Sequence, residues 1–187
     1  MKDLCKFLMA TFFMAIWAAS GAVAQAAPVE DPQVIAQNVY AQIKDHLNVD
    51  LSNTLVNQYF DTHSMAVEAL GHSYVGLSSD QRAAYVQAFD AYFKNALYQF
   101  LTAQRDARFS DLSSRIEGDR AIARCVLTPV HGGAIELAFK LILGKDSWKA
   151  SDVMVDNVSL ILGYRAQFRS LYTQGGFDGL VAYLNNH

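Results

Sequence analysis

From Asp31 to Leu47 the apolar residues recur three or four apart. Val34/Ile35, Val39, Ile43 and Leu47 fall on one stripe, which predicts an amphipathic helix. Asp31 suits the N-cap of that helix and Pro32 its first turn. The spacing continues more weakly through Leu51, Leu55 and Tyr59, and a further helix is predicted from Thr62 to Leu70, stopped by Gly71. The strongest helical pattern runs from Ser79 to about Gln104, with Ser78 and Gln81 placed for a capping box. Tyr85/Val86, Phe89, Tyr92/Phe93, Ala96/Leu97 and Phe100 give it a wide, aromatic-rich stripe.

After Gln104 the period changes to two. Strand-like segments follow at about Ala107–Glu117, Arg120–Val130, Ala134–Leu143 and Ser147–Asn157. They are separated by Gly118-Asp119, by His131-Gly132-Gly133 and by Gly144-Lys145-Asp146. Breaks this short make antiparallel hairpins, because parallel strands need long crossovers. The third segment alternates: Ile135, Leu137, Phe139 and Leu141 face one side, Glu136 and Lys140 the other. One sheet face is therefore buried under something. The helical period then returns. Val158, Ile161, Tyr164, Phe168 and Leu171/Tyr172 form a stripe, with Val158 read as buried and with Arg165 and Arg169 off it. Gly175-Gly176 breaks this helix, and Phe177, Leu180, Val181 and Leu184 mark a last short one.

Helices grouped on one face of an antiparallel sheet make an α+β domain. The expected architecture is helices packed on one face of a twisted four-stranded antiparallel sheet, as a single domain over 25–187.

The N-terminus reads as an export signal. Lys2 and Lys6 precede an uncharged apolar run from Phe7 to Ala19, and Ala22-Val23-Ala24 offers the small-x-small pattern of a cleavage site. A signal peptide over 1–24 is expected, with Ala24-Gln25-Ala26 as a second cleavage candidate. Cys5 lies within it, which leaves Cys125 as the single mature cysteine and rules out an internal disulfide. Cys125 sits in an apolar run and reads as a buried small hydrophobe.

Composition narrows the functional classes. The chain has 187 residues, a net charge of −3 and 18% charged residues, so it lacks the electrostatic footprint of a nucleic-acid binder. At 52% hydrophobic it is too apolar for a disordered tail. His46, His63, His72, His131 and His187 form no HExxH pair, and without cysteine pairs a zinc site has little to build on. Gly71-His72-Ser73-Tyr74-Val75 lacks the second glycine of a nucleophile elbow and follows a helix, not a strand. No glycine-rich nucleotide loop occurs. No cofactor or metal is expected.

Asp152 is the one acid with a chemical case. It stands on the fourth strand beside Val153 and Val155, and a carboxylate at the mouth of an apolar cavity can act as a base. A small periplasmic isomerase or hydrolase using Asp152 and a nearby histidine is the enzyme alternative. The structural alternative for the same residue is a solvent-facing or hydrogen-bonded strand position. What dominates the chain is apolar volume. The aromatic helix, the apolar sheet face and the penultimate helix either fill one another as core or line a cavity for an apolar ligand.

The segment from Trp148 to Phe168, WKASDVMVDNVSLILGYRAQF, is similar to the closing segment of the MlaC or toluene-tolerance family of periplasmic phospholipid-binding proteins. The matching positions are Trp148, Lys149, Asp152, Val158, Ser159, Leu160, Tyr164, Arg165, Gln167 and Phe168. Gly175 to Leu180 resembles the family's final turn and helix. Phe60 to Phe89 resembles a second family segment through Phe60, Asp61, Met65, Ala66, Leu70, Gly71, Tyr74, Gln81, Arg82 and Phe89. Ala150-Ser151 stand where larger apolar or aromatic residues are common in the family, and His72 and Tyr74 replace a basic residue and a Trp.

The resemblance implies a monomeric periplasmic lipid carrier and not an enzyme. Such a carrier binds the acyl chains of a phospholipid, or of a hopanoid-type lipid as in one branch of the family, in an apolar pocket. Its partners would be an outer-membrane lipoprotein complex and an inner-membrane ABC transporter with its substrate-receiving subunit. On this reading the lining is expected to combine Leu137, Phe139 and Leu141 with Val153 and Val155 from the sheet. Phe89, Phe93 and Leu97 would join from the long helix, and Ile161, Tyr164 and Phe168 from the penultimate one. Tyr164 is expected near the mouth, and Arg165 either meets a phosphate or lies on a solvated helix face.

Overall fold

The computed structural model describes residues 29–187, so the export signal expected over 1–24 lies outside the described residues. The elements are α1 (Pro32–His46), α2 (Val49–Tyr59), α3 (Thr62–Leu70), α4 (His72–Val75) and α5 (Ser79–Ala103). Then come β1 (Arg108–Glu117), β2 (Arg120–Thr128), β3 (Ile135–Leu143), β4 (Trp148–Val155), β5 (Val158–Ser159) and α6 (Leu160–Asn186). The strands form one antiparallel sheet in the order β1-β2-β3-β4-β5. This is the expected α+β domain.

Each main helix starts where a side chain caps it. Asp31 accepts from the Gln33 N–H at 2.7 Å, Asn48 from Leu51 at 2.8 Å and Asp61 from Ser64 at 3.0 Å. The capping box of α5 is complete, with Gln81 N–H donating to Ser78 Oγ and Ser78 N–H to Gln81 Oε1. A kink divides α6 at Gly176, whose φ of 63° and ψ of −161° are open to glycine. The helix otherwise runs on through the second leg to Asn186.

The sheet differs from expectation in three places. β4 ends at Val155, and Asp156-Asn157 form a two-residue turn with φ of 49° and 65° that pairs Val155 with Val158. Positive φ at both central residues is the type I′ geometry that tightens hairpins. So Val158 belongs to a fifth, two-residue strand rather than to the helix, and at 67% relative exposure it is not buried. β1 carries a bulge between Ser110 and Ser113, with Asp111 at φ 52°. β4 carries another opposite Lys140/Leu141, where Ser151 is the extra residue. A bulge flips the faces of a strand beyond it. The bulge at Ser151 lets Trp148, Ala150, Val153 and Val155 share one face, and Asp152 takes the other.

The helices meet in a dense core. Met65, Ala66 and Ala69 of α3, Tyr85 and Phe89 of α5, and Ile161, Phe168, Leu180 and Leu184 of α6 are buried together. Phe89 stands at the centre, edge-on to Tyr164 and Phe168 with centroids 6.0 and 6.2 Å away. The buried Tyr85 hydroxyl donates to the Ala66 carbonyl at 2.9 Å, which satisfies the one polar atom that its ring brings inside. A second, smaller cluster of Ala107, Cys125, Leu127 and Leu137 lies at the sheet. Among the described residues no helix is long and apolar enough to cross a membrane.

Candidate functional site

Between the sheet and the helices the packing is incomplete. A cavity of about 280 Å³ opens there, and the whole gap between its walls, mouth included, is about 1430 Å³. Its floor is the apolar sheet face: Ala123 and Cys125 of β2, Leu137, Phe139 and Leu141 of β3, and Ala150, Val153 and Val155 of β4. Both bulges serve this floor. The first turns Leu112 inward beside Phe109, and the second keeps Val153 and Val155 in line with Ala150. The roof comes from Ile35, Val39 and Tyr40 of α1, Leu55 of α2, and Phe93 and Leu97 of α5. Among the described residues no charged side chain lines it. The only polar side chains among its lining residues are those of Tyr40, Tyr59, Tyr164, Trp148 and Cys125.

The expected lining divides cleanly. Phe93, Leu97, Leu137, Phe139, Leu141, Val153, Val155 and Tyr164 stand on the cavity wall. Phe89, Ile161 and Phe168 do not: each is buried in the helical core, at or below 1% exposure. Periodicity put them on the same stripes as the wall residues, but α3 fills the space against them. Tyr164 reaches the wall from a buried site, stacked 5.4 Å from Phe168 and not at the water-facing mouth. Burial, reinforced by the nearby Tyr92 hydroxyl, raises its phenol well above the usual tyrosine range. Burial also pushes the Cys125 thiol up to about 11, so it stays protonated well into the alkaline range.

The lining expectation missed the roof over β1 and β2. α1 has Pro32 as its one fully buried residue, yet Ile35, Val39, Tyr40 and Ile43 all face the cavity half-buried. Tyr40 packs on Phe109 with centroids 4.7 Å apart, and Ser114 Oγ–H donates to Asp31 Oδ1 at 2.9 Å. The α1 stripe was visible in the sequence. What it covered was not. The small residues Ala123 and Ala150 were equally visible, and their alignment on one face depends on the β4 bulge.

Asp152 has a different position from the one that base chemistry needs. It lies on the face turned away from the cavity, with 7% exposure. Its Oδ2 accepts from Ser159 Oγ at 2.8 Å and from Lys140 Nζ at 3.0 Å, and its Oδ1 accepts from the Ile161 N–H at 3.3 Å. Ser159 Oγ in turn accepts from the Leu162 N–H at 3.1 Å as the N-cap of α6. The carboxylate thus fixes the cap and the start of α6 to β4, where the positive end of the helix favours an anion. Arg165 is likewise occupied. It bridges α6 to α3 through the Glu68 carbonyl at 2.9 Å and the Glu68 carboxylate at 3.4 Å, outside the cavity wall.

The model of the MlaC protein family matches residues 30–186, nearly all of the described chain. The chain belongs to the MlaC family. A phospholipid-binding protein from Ralstonia solanacearum, solved in complex with a phospholipid, shares its fold at a TM-score of 0.68 and 20% identity. That match covers 84% of this chain and 96% of the Ralstonia one. The Trp148–Phe168 segment that carries the MlaC resemblance has a physical meaning in the fold. Trp148 and Ala150 give wall to the cavity, and Asp152 with Ser159 ties that wall to α6.

Proposed function

We propose that this MlaC-family chain is a periplasmic lipid carrier that takes the acyl chains of a phospholipid into the cavity. It would shuttle the lipid between an outer-membrane lipoprotein complex and an inner-membrane ABC transporter with its receiving subunit. The observation that carries this reading is a wall built of apolar and aromatic side chains without a charge, in a member of this family. Each buried CH₂ is worth about 0.8 kcal/mol, so one sixteen-carbon tail exposed to water costs roughly 13 kcal/mol. A naked lipid does not cross an aqueous gap at that cost; an enclosed one does. A two-tailed lipid needs roughly 1,000 Å³, at the top of the usual pocket range. The cavity itself is about 280 Å³, so a two-tailed lipid would also occupy the open gap between its walls or part those walls as it enters. The headgroup then stays in water, which accounts for a wall without polar recognition groups.

A hopanoid-type cargo satisfies the same wall chemistry and is separated by identifying the lipid. Against the enzyme alternative stands the engagement of the Asp152 carboxylate, whose hydrogen bonds serve the α6 cap and Lys140. The test is transfer of a fluorescent phospholipid from donor to acceptor vesicles with the mature protein added. Transfer that accelerates in proportion to protein concentration supports the carrier. Transfer at the spontaneous rate at every concentration contradicts it.

A further inference from the structure

The walls of the cavity are held unequally. Five side chains of α5, five of α6 and three of α2 are buried, whereas α1 buries only Pro32 among its fifteen residues. α2 is also tied to β4. Lys149 Nζ donates to the Asn57 carbonyl at 2.8 Å, and the Asp61 N–H donates to the Ala150 carbonyl at 2.9 Å. The apolar stripe of α1, made of Ile35, Val39, Tyr40 and Ile43, stands half-buried over the floor and is already partly in water. A segment opens locally the more readily, the less buried apolar contact it gives up. Among the walls, α1 gives up least. The closed cavity of about 280 Å³ is smaller than a two-tailed lipid, so some wall has to move.

The two ends of α1 are built differently. It ends at His46 and α2 begins at Val49, with Leu47 and Asn48 between them at non-helical ψ of 117° and 175°. Two such residues between helices absorb a hinge rotation. Leu47 is buried, and Arg105 Nη2 donates to its carbonyl at 3.4 Å, so this end stays on the body. The rest of α1 lies on β1 and β2. Its side-chain ties go to β1, which is an edge strand of the sheet. Ser114 Oγ–H donates to Asp31 Oδ1 at 2.9 Å, and Tyr40 lies on Phe109 with centroids 4.7 Å apart.

We propose that α1 is a lid over the cavity, hinged at Leu47-Asn48 and latched to β1 by Asp31 on Ser114 and by Tyr40 on Phe109. This rests on the lipid-binding reading above and states how that site is opened. Lifting α1 uncovers Phe109, Leu112, Ala123 and Cys125, the part of the floor made by β1 and β2, and leaves the helical core around Phe89 intact. Acyl chains in the cavity meet the α1 stripe only when the lid is down, so a bound lipid favours the closed state.

The experiment locks and loosens the latch and times the loading of delipidated protein from palmitoyl-oleoyl-phosphatidylcholine vesicles that carry a pyrene-labelled phosphatidylcholine. In D31C/S114C a disulfide fastens α1 to β1, and peptide mapping confirms the bridge. The bridged protein is expected to load at least tenfold more slowly than the same protein after reduction. S114A removes the latch hydroxyl from a residue outside the cavity wall and is expected to load about fivefold faster than wild type, the equivalent of one neutral hydrogen bond. Equal loading by the bridged and reduced forms overturns the lid, and so does an S114A rate no higher than that of wild type. Wild-type protein that takes up no lipid overturns the carrier reading itself, which keeps the two failures apart. Circular dichroism melts verify that each variant is folded before it is loaded.

Discussion

The two halves of α5 face different neighbours. Towards its start, Tyr85 and Phe89 are fully buried against α3 and α6, in rings that touch at 6.0 to 6.3 Å. Towards its end, Ala96, Leu97 and Phe100 look across an open gap at the sheet. The side chains on the two halves are of the same kind and lie on one continuous stripe. Opposite the first half, α3 brings Met65, Ala66 and Ala69 close enough to fill the space. Opposite the second, β2 and β4 offer Ala123 and Ala150, which leave it empty. A cavity is thus made by what faces a stripe, not by the stripe.

The largest expected difference between the halves lies in stability. Phe89→Ala removes a ring surrounded on every side and is expected to cost about 3–5 kcal/mol in chemical denaturation. Phe139→Ala removes a ring that already borders a void, so fewer contacts are lost, and the expected cost in the lipid-free protein is under about 2 kcal/mol. The order should narrow once lipid is bound, because Phe139 then gains neighbours and Phe89 does not. Equal costs for both in the lipid-free protein would mean that the cavity collapses around its walls.

Asp152→Asn comes next. It weakens the anchoring of Ser159 and leaves Lys140 without its partner, for an expected loss of about 1–3 kcal/mol. Lipid loading per folded molecule should be unchanged, which a lipid extraction quantifies; loss of loading in a folded variant would return Asp152 to the site.

Cys125 gives a smaller, kinetic readout of the open half. The thiolate is the reactive form, and burial lifts the thiol to about 11 from an ordinary value of 9.0. Alkylation should be slow at pH 8 and keep accelerating up to about pH 11, rather than levelling near 9. A lipid-filled cavity should slow it further. The sign for stability follows from the same shift. The folded thiol stays protonated where the unfolded one ionises, so its contribution is intact below pH 9 and is lost as pH rises towards 11. The smallest effect belongs to the Arg165–Glu68 pair, whose side chains are 43% and 55% exposed. Arg165→Met should cost no more than about 1 kcal/mol and leave lipid uptake alone.

Much of the fold was legible because local chemistry marks its joints. Asp31 and Ser78 begin helices, Gly71 ends one, and Gly118-Asp119 turns a hairpin. The bulges at Ser110–Ser113 and Ser151 were not legible. One extra residue reverses a strand's faces without altering its composition, so strict alternation would set Trp148 and Ala150 on the face opposite Val153 and Val155. The same limit applies to Phe89, Ile161 and Phe168. Their periodicity is that of Phe93, Leu97 and Tyr164, and only α3 decides that the first three are core. The roof formed by α1 was hidden for a related reason: an amphipathic stripe reports that it is covered, not that it covers a gap.

The most direct measurement is native mass spectrometry of the protein purified from its host without detergent, followed by organic extraction and lipid identification. The expected result is a mass excess of one two-tailed phospholipid per chain, recovered in the extract. A clean lipid-free mass that persists after incubation with phospholipid vesicles would contradict the carrier and leave the cavity without its proposed cargo.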